Sequence, residues 1–413
     1  MVTVRPFKAL RPPVSMVEKI SELPYDVINT KEAKAIAKGN EHSFFHITRA
    51  EIDLPETVDI HDEQVYQQGK NSLNKFIENG WLVPDKEATI YLYKQKMGDH
   101  EQTGFVGCVS ADEYNKDLIK KHELTRKDKE DDRTKTVVTQ SANAEPVFLT
   151  YRAVKELDEV MDSYKKNNEP VYDFVADDGI GHTLWVIEDQ AVVKKIQELF
   201  KPIDYLYVAD GHHRSASAAR AKAEKIKFDD NPTPEKEYNY FLAVIFPHDQ
   251  LKILDYNRVL FEMNGMTKEQ FFGKLEEKFE FIGNDRGTPK NQNEFGLYID
   301  GKWYQIRAKA GTFDPKDPIG SLDVAILQSN VLDPLFGIKD PRTDNRIDFV
   351  GGIRGIKELE KRVDSGECKL AFAMYPTTLD QLIDVADTGN IMPPKSTWFE
   401  PKLRSGLFIH LLD

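Results

Sequence analysis

The chain has 413 residues, of which 40% are hydrophobic and 30% charged, with a formal net charge of −13. That length exceeds one ordinary core and predicts two or three domains of soluble, globular character. The acidic balance argues against broad binding to nucleic acid or anionic membranes, and no apolar run reaches the roughly 20 residues of a membrane helix.

The opening stretch MVTVRPFKALRPP lacks the apolar core of a secretory signal. Cys108 and Cys368 sit in apolar, strand-like runs, so buried free thiols and a cytoplasmic setting are expected. Residues 1–60 mix short strands with turns. Asn29 or Thr30 can cap a helix that ends before Gly39, and residues 43–52 alternate as a strand would. An amphipathic helix is predicted over 63–80, followed by a β-hairpin from 88–97 and 102–111. The centre of 112–140 is almost entirely charged and reads as a solvated helix with ion pairs at i,i+4 spacing, inserted into the first domain.

PVFLTYRA and HTLWVIED are strand candidates, and the turn DDGIGH explains most of the polar group Asp177, Asp178 and His182. QAVVKKIQELF carries one apolar stripe and reads as a helix. DYLYVAD and YNYFLAVIF read as buried strands. Beyond residue 265 the pattern predicts a helix over TKEQFFGKLEEKFEFI and a hairpin turning at Asp300-Gly301. Helices at LDVAILQSNVLDPLFG and GIKELEKRVDSG and a strand at CKLAFAMYP complete it. Strands and helices mix without strict βαβ alternation, so the predicted class is α+β with a mixed sheet. The expected domains are 1–264 and a second α+β domain at 265–413, whose tail (392–408) is expected to return to the site.

The stretch YLYVADGHHRSASAARAKAEKIK carries the most chemistry. A strand-like run ends at Asp210, Gly211 permits a turn or a close approach, and good helix formers follow. The free N–H groups and positive dipole end of a helix start favour an anion. His212, His213 and Arg214 add donors there, and arginine grips phosphate with two parallel hydrogen bonds. The combination predicts a phosphate cradle. A blander account makes Asp210 the helix cap, one histidine a core residue and Arg214 the partner of a surface acid. Zinc has no third ligand at a helpful spacing, and no G-x-S-x-G elbow is present.

Asp26 in PYDVI is either a turn former or a pocket carboxylate. His122 and Glu123, with Thr125 and Arg133, form a second candidate group. In MPPKSTWFEPKLRSGLF, Lys395, Ser396 and Thr397 echo the end of a phosphate-binding loop without its glycines, so it is not a Walker A motif. A docked tail accounts for the same residues; the glycine-rich run at 351–357 with Arg354 could approach a phosphate, and helix entry accounts for it about as well. Residues 210–214 and 395–397 are expected to line one pocket.

ADGHHRSASA resembles the phosphate-gripping strand–turn–helix of the ParB/sulfiredoxin superfamily, and its DGHHR spelling is nearest that of the free serine kinases. RPFKALRP, PYDVI, TGFVGCVS, IKKHELT, ADGHHR and MPPKSTWFEPKLRSGLF follow one another in the order of the family called domain of unknown function 1015, which this chain resembles along nearly its whole length. Together these imply a phosphotransferase on a small hydroxyl metabolite, free L-serine being the sharpest candidate, with ATP or ADP and Mg²⁺. Asp26, Glu123 or Asp210 would serve as base or metal ligand. Gly211, His212, His213, Arg214, Lys395, Ser396 and Thr397 would hold phosphate. The same parts could run as a phosphatase, or as a nucleotide-binding regulator without turnover. Redox repair would need a cysteine beside the motif, and none is there. The expected partner is a small molecule, with no nucleic acid and no membrane.

Overall fold

A computed structural model describes residues 1–284 and 287–413. The chain divides into two compact units, Met1–Leu251 with Pro401–Asp413, and Lys252–Glu400.

The first unit is built on a nine-stranded sheet. Its strands run in the order Ile119–Lys120, Leu206–Asp210, Val147–Tyr151, Tyr240–Pro247, His100–Ser110, Tyr91–Met97, Gly181–Val186 and Tyr172–Val175, with Val4–Arg5 beside His100–Ser110. Leu206–Asp210 runs parallel to Ile119–Lys120, Tyr240–Pro247 runs parallel to Val147–Tyr151, and the other pairs are antiparallel. The expected mixed sheet and α+β class are therefore present. Central strands such as Val147–Tyr151 are buried at every residue, which is why they read as unbroken apolar runs. The helices Lys127–Gln140 and His212–Ile226 pack on each other. The end of the chain adds pairings to this unit: Ile409 with Leu10, Ser405 with Glu22, and His410–Leu411 with Ala142–Asn143.

The second unit holds a six-stranded antiparallel sheet, ordered Phe279–Gly283, Lys302–Ala308, Glu294–Ile299, Leu370–Met374, Tyr256–Leu260 and Ile347–Gly351. Its hairpin turns at Asp300 and Gly301, both at positive φ, as a two-residue turn of this kind requires.

Three expectations change. Residues 43–52 form the short helix Phe45–Thr48 and the 3₁₀ turn Ala50–Asp53, because Phe44, Phe45 and Ile47 all point into cores and leave no solvent face for a strand to alternate with. The helix after Thr267 stops at Lys278, and Phe279–Gly283 leaves it as an edge strand. The segment 112–140 is a short helix, a strand, a loop and the helix Lys127–Gln140. Its Asp132, Thr134 and Gln140 are buried, so a simple solvated face does not describe it. Both cysteines are buried and free. Among the described residues no helix is long and apolar enough to cross a membrane.

The sheet of the first unit depends on a close approach at Gly104, where an added Cβ would lie 2.9 Å from Phe246 Cδ1 and 3.0 Å from the Ile245 carbonyl oxygen. Gly104→Ala should destabilise the protein by about 1–3 kcal/mol through overpacking against backbone. A urea midpoint matching the wild type would refute that spacing.

Candidate functional site

Every contact described next lies within the first unit. The strand Leu206–Asp210 carries a register shift between Val208 and Asp210, which aims the Asp210 side chain away from regular alternation. Gly211 follows at φ 92 and ψ 35, and the helix His212–Ile226 begins. No side chain caps that helix. Asp210 is therefore not its cap: the carboxylate Oδ1 accepts from the Gly211 amide at 3.0 Å, and Oδ2 faces Lys402 Nζ at 3.3 Å. The amides of His212, His213 and Arg214 begin the helix and have no intrahelical acceptor.

Arg214 turns back beneath Gly211. A Cβ on Gly211 would sit 3.1 Å from Arg214 Nε. Nη1 donates to the Pro146 carbonyl at 2.6 Å, and Nη2 donates to Asp26 Oδ2 at 3.2 Å and lies 3.7 Å from Asp210 Oδ2. Nε is buried and has no hydrogen-bond partner among the described residues. Burial works against the Arg214 charge, but Asp26, Asp210 and Glu145 hold its pKa above the ordinary value. Burial likewise works to raise the Asp210 carboxyl, and Lys402 and Arg214 outweigh it, holding the group well below the usual carboxylate range. Burial pushes Glu145 up, opposed first by Arg214. Glu145 Oε1 accepts from the Tyr25 amide at 3.0 Å and from Ser405 Oγ at 2.7 Å.

The loop after Lys120 brings His122 and Glu123 to the same helix start. The rings of His122 and His212 meet edge to face at 4.4 Å, and His212 Nδ1 lies 3.8 Å from Glu123 Oε2. His212 Nε2 is buried without a partner among the described residues. Burial pushes His122 down to about 4 and His212 well below its ordinary value, so both rings are neutral near pH 7. His213 is pushed down by burial too, and its Nε2 accepts from the Arg126 amide at 3.1 Å. Arg133 stacks on the Tyr25 ring at 4.2 Å and pairs with Asp132, which also accepts from His61 Nδ1 and Tyr66 Oη, each at 2.8 Å. Arg133 thus steadies the turn that carries Asp26. A cavity beside Arg214 is lined in part by Arg133, Gln140, Glu145 and Ser217. Gln140 Oε1, like Arg214 Nε, is buried there without a partner among the described residues, a setting that suits small polar molecules or water.

Asp26, His122, Glu123, Asp210, Gly211, His212, His213, Arg214 and Arg133 therefore come together in one unit. Lys395, Ser396 and Thr397 belong to the other unit. There Lys395 has φ 55, its carbonyl accepts from Arg258 Nη2 at 3.1 Å, and Ser396 Oγ donates to the Pro393 carbonyl at 2.6 Å. Among the described residues no group of three His, Cys, Asp or Glu could hold a metal ion. Sequence reasoning missed Glu145, Lys402, Ser405 and Glu22. Lys402 lies in the same stretch as Lys395, but the Pro-Lys-Ser-Thr spelling drew the attention. Glu145 and Glu22 carry no local signal, since distant pairings bring them in.

The chain belongs to the family described as "Protein of unknown function (DUF1015)", whose members match residues 4–325. No curated protein matches it. Among solved structures it is similar to a free serine kinase in complex with AMP, at 13% identity over 71% of this chain and 86% of that one, with a TM-score of 0.36. A free serine kinase mutant in complex with ADP gives 14% identity, 71% and 87% coverage and a TM-score of 0.36. SbnI with a C-terminal truncation, from Staphylococcus aureus, gives 12%, 74%, 87% and 0.37. The family resemblance read from the sequence is borne out.

Two outcomes follow from the site's geometry. Gly211→Ala places a side chain in the left-handed region and against Arg214, so it should lower stability by about 1–3 kcal/mol in urea unfolding; an unchanged midpoint would contradict the turn. Glu22 is buried, and Ser43 Oγ donates to its Oε1 at 2.5 Å. Burial pushes its pKa from 4.5 to about 7, above the unfolded value. The neutral acid therefore stabilises the fold below about 4.5, and that contribution is lost as the pH rises through about 7. Glu22→Gln should raise the melting temperature at pH 8 and leave it nearly unchanged at pH 4. An equal effect at both values would contradict the burial.

Proposed function

We propose that the protein is a phosphotransferase that moves a phosphoryl group between a nucleoside phosphate and a small hydroxyl metabolite. One observation carries this reading: an uncapped helix start behind a left-handed glycine, with a buried imidazole nitrogen beside it that has no partner among the described residues. Such a start favours an anion through its free amides and its dipole. Both flanking histidines are held neutral, so the ring of His212 can donate or accept without changing charge.

ATP or ADP with Mg²⁺ would supply the phosphoryl group and spread its charge. The residues present suit that arrangement. The amides of His212, His213 and Arg214 would hold phosphate oxygens. The Glu123 carboxylate, half exposed and near His212, is placed to take the proton of the attacking hydroxyl. Asp26 is part exposed and braced by Arg214 and by the Tyr25–Arg133 stack. It can give one oxygen to Mg²⁺, which typically takes one or two carboxylates and the substrate phosphates. Arg214 has both Nη atoms turned inward to Pro146 and Asp26, its Nε is buried without a partner among the described residues, and its main task is to fix Asp26 and Asp210. Lys395, Ser396 and Thr397 are a second phosphate-binding element in this reading. The Asp210–Arg214 spelling, similar to that of free serine kinases, makes L-serine the sharpest acceptor. As a phosphatase the same groups would serve transfer of the metabolite's phosphoryl group to water, releasing the hydroxyl metabolite and inorganic phosphate.

The test combines binding and turnover. ADP or ATP with Mg²⁺ should raise the melting temperature, because a ligand bound to the native state alone stabilises it. Arg214→Lys keeps the charge but loses the fork that sets Asp26 and Asp210, and should weaken nucleotide binding roughly ten- to hundredfold. Glu123→Gln should keep binding and lose turnover with L-serine. A nucleotide shift without turnover on any hydroxyl acceptor would favour the regulator. No shift with any nucleoside phosphate at millimolar concentration would overturn the reading.

A further inference from the structure

We propose that the second unit holds a phosphoryl oxyanion between Arg258 and Lys395. Arg258 lies on the interior strand Tyr256–Leu260, hydrogen-bonded on both sides, and is only 3% exposed. Its guanidinium donates through Nη1 to the Tyr256 carbonyl and through Nη2 to the Lys395 carbonyl at 3.1 Å, and it lies 5.3 Å from the centroid of the Phe349 ring. None of these partners is a carboxylate. Other arginines that are buried or nearly so are treated differently: Arg133 meets Asp132, Arg214 meets Asp26, and Arg404 meets Asp178. Burial pushes the Arg258 pKa down to about 10, with a small opposing effect of Tyr256. It therefore remains a cation at pH 7, buried with carbonyl dipoles and no counter-charge among the described residues. Such a group is costly until an anion joins it.

The second cation is at hand. Lys395 is exposed, and its ammonium lies 5.6 Å from the centroid of the Tyr256 ring, the residue whose carbonyl Arg258 already holds. The turn beneath Lys395 is fixed from two sides, by Ser396 Oγ on the Pro393 carbonyl and by Thr377 Oγ1 on the Ser396 carbonyl at 2.9 Å. Each Arg258 Nη carries a second N–H besides the one its carbonyl accepts, and these with the flexible Lys395 ammonium suit an anion with several unshared oxygens, either free phosphate or the end of a nucleoside phosphate. This inference rests on the phosphate reading of Lys395 and adds the residue that makes it a built site. The turn spelling alone could not provide that.

Hydrogen exchange on the full chain tests it, with inorganic phosphate and then ADP as probes at constant ionic strength. Phosphate should protect backbone around 252–258 and 393–398. Arg258→Met should weaken that response roughly ten- to hundredfold. Without phosphate, the same variant should melt no lower than the wild type, since an uncompensated buried charge has gone. Lys395→Gln, at an exposed position, should fold normally and also weaken the response, so the test survives if Arg258→Met fails to fold. Protection by ADP but not phosphate would place the anion as the end of a nucleotide and support the site equally. No protection at 393–398 with either probe, or a wild-type response in the Lys395→Gln variant, overturns the inference. Protection confined to 205–227 would overturn it while leaving the phosphotransferase reading intact. Protection at 393–398 without turnover on any acceptor would do the reverse.

Discussion

The buried guanidinium of Arg214 is the constraint on which the first unit's site depends. It links the turn at Tyr25–Val27, the Pro146 carbonyl just before the strand Val147–Tyr151, and the end of the strand Leu206–Asp210. A charge taken out of water needs close anions, and removing one partner of such a group costs about 3–5 kcal/mol. Three segments far apart in sequence are thus held to one geometry by a single side chain. That side chain in turn needs the absent Cβ of Gly211.

Charge balance explains the rest of the neighbourhood. Asp26, Asp210 and Glu145 surround Arg214, and Lys402 adds a second cation at Asp210. Burial pushes the Glu145 carboxyl up, opposed first by Arg214. The helix start a few ångströms along the chain has the opposite character, with free amides, neutral imidazoles and no acidic cap. Carboxylates thus lie on one side of Gly211 and anion-seeking amides on the other.

Much of this was legible in the sequence, and the exceptions have physical causes. The strand–glycine–helix at 205–227 was legible because its signals are local: an apolar run, a glycine and a stretch of helix formers. Of the two expected caps, Asn29 takes the place and forms a capping box with Glu32. The alternation at 43–52 misled, because packing overrode a short pattern. The charged run at 127–140 looked solvated, since nothing local shows that Asp132 meets His61 and Tyr66, or that Arg133 stacks on Tyr25. Glu145, Lys402 and Ser405 gain their roles only through pairings separated by more than a hundred residues. Arg258 inside an ordinary strand pattern gave no sign of lacking an acid.

The return of Pro401–Asp413 to the first unit sets an order of events during synthesis. Lys402, Ser405 and Ile409 are made after all of Lys252–Glu400, yet they supply Asp210 with a cation, Glu145 with a hydroxyl donor and Leu10 with a backbone partner. A nascent chain can therefore assemble most of its first sheet while the charge cluster stays incomplete, and can finish the cluster only when its last segment is free of the ribosome. Chains cut anywhere between Leu251 and Lys402 share one defect, an Asp210 without that lysine.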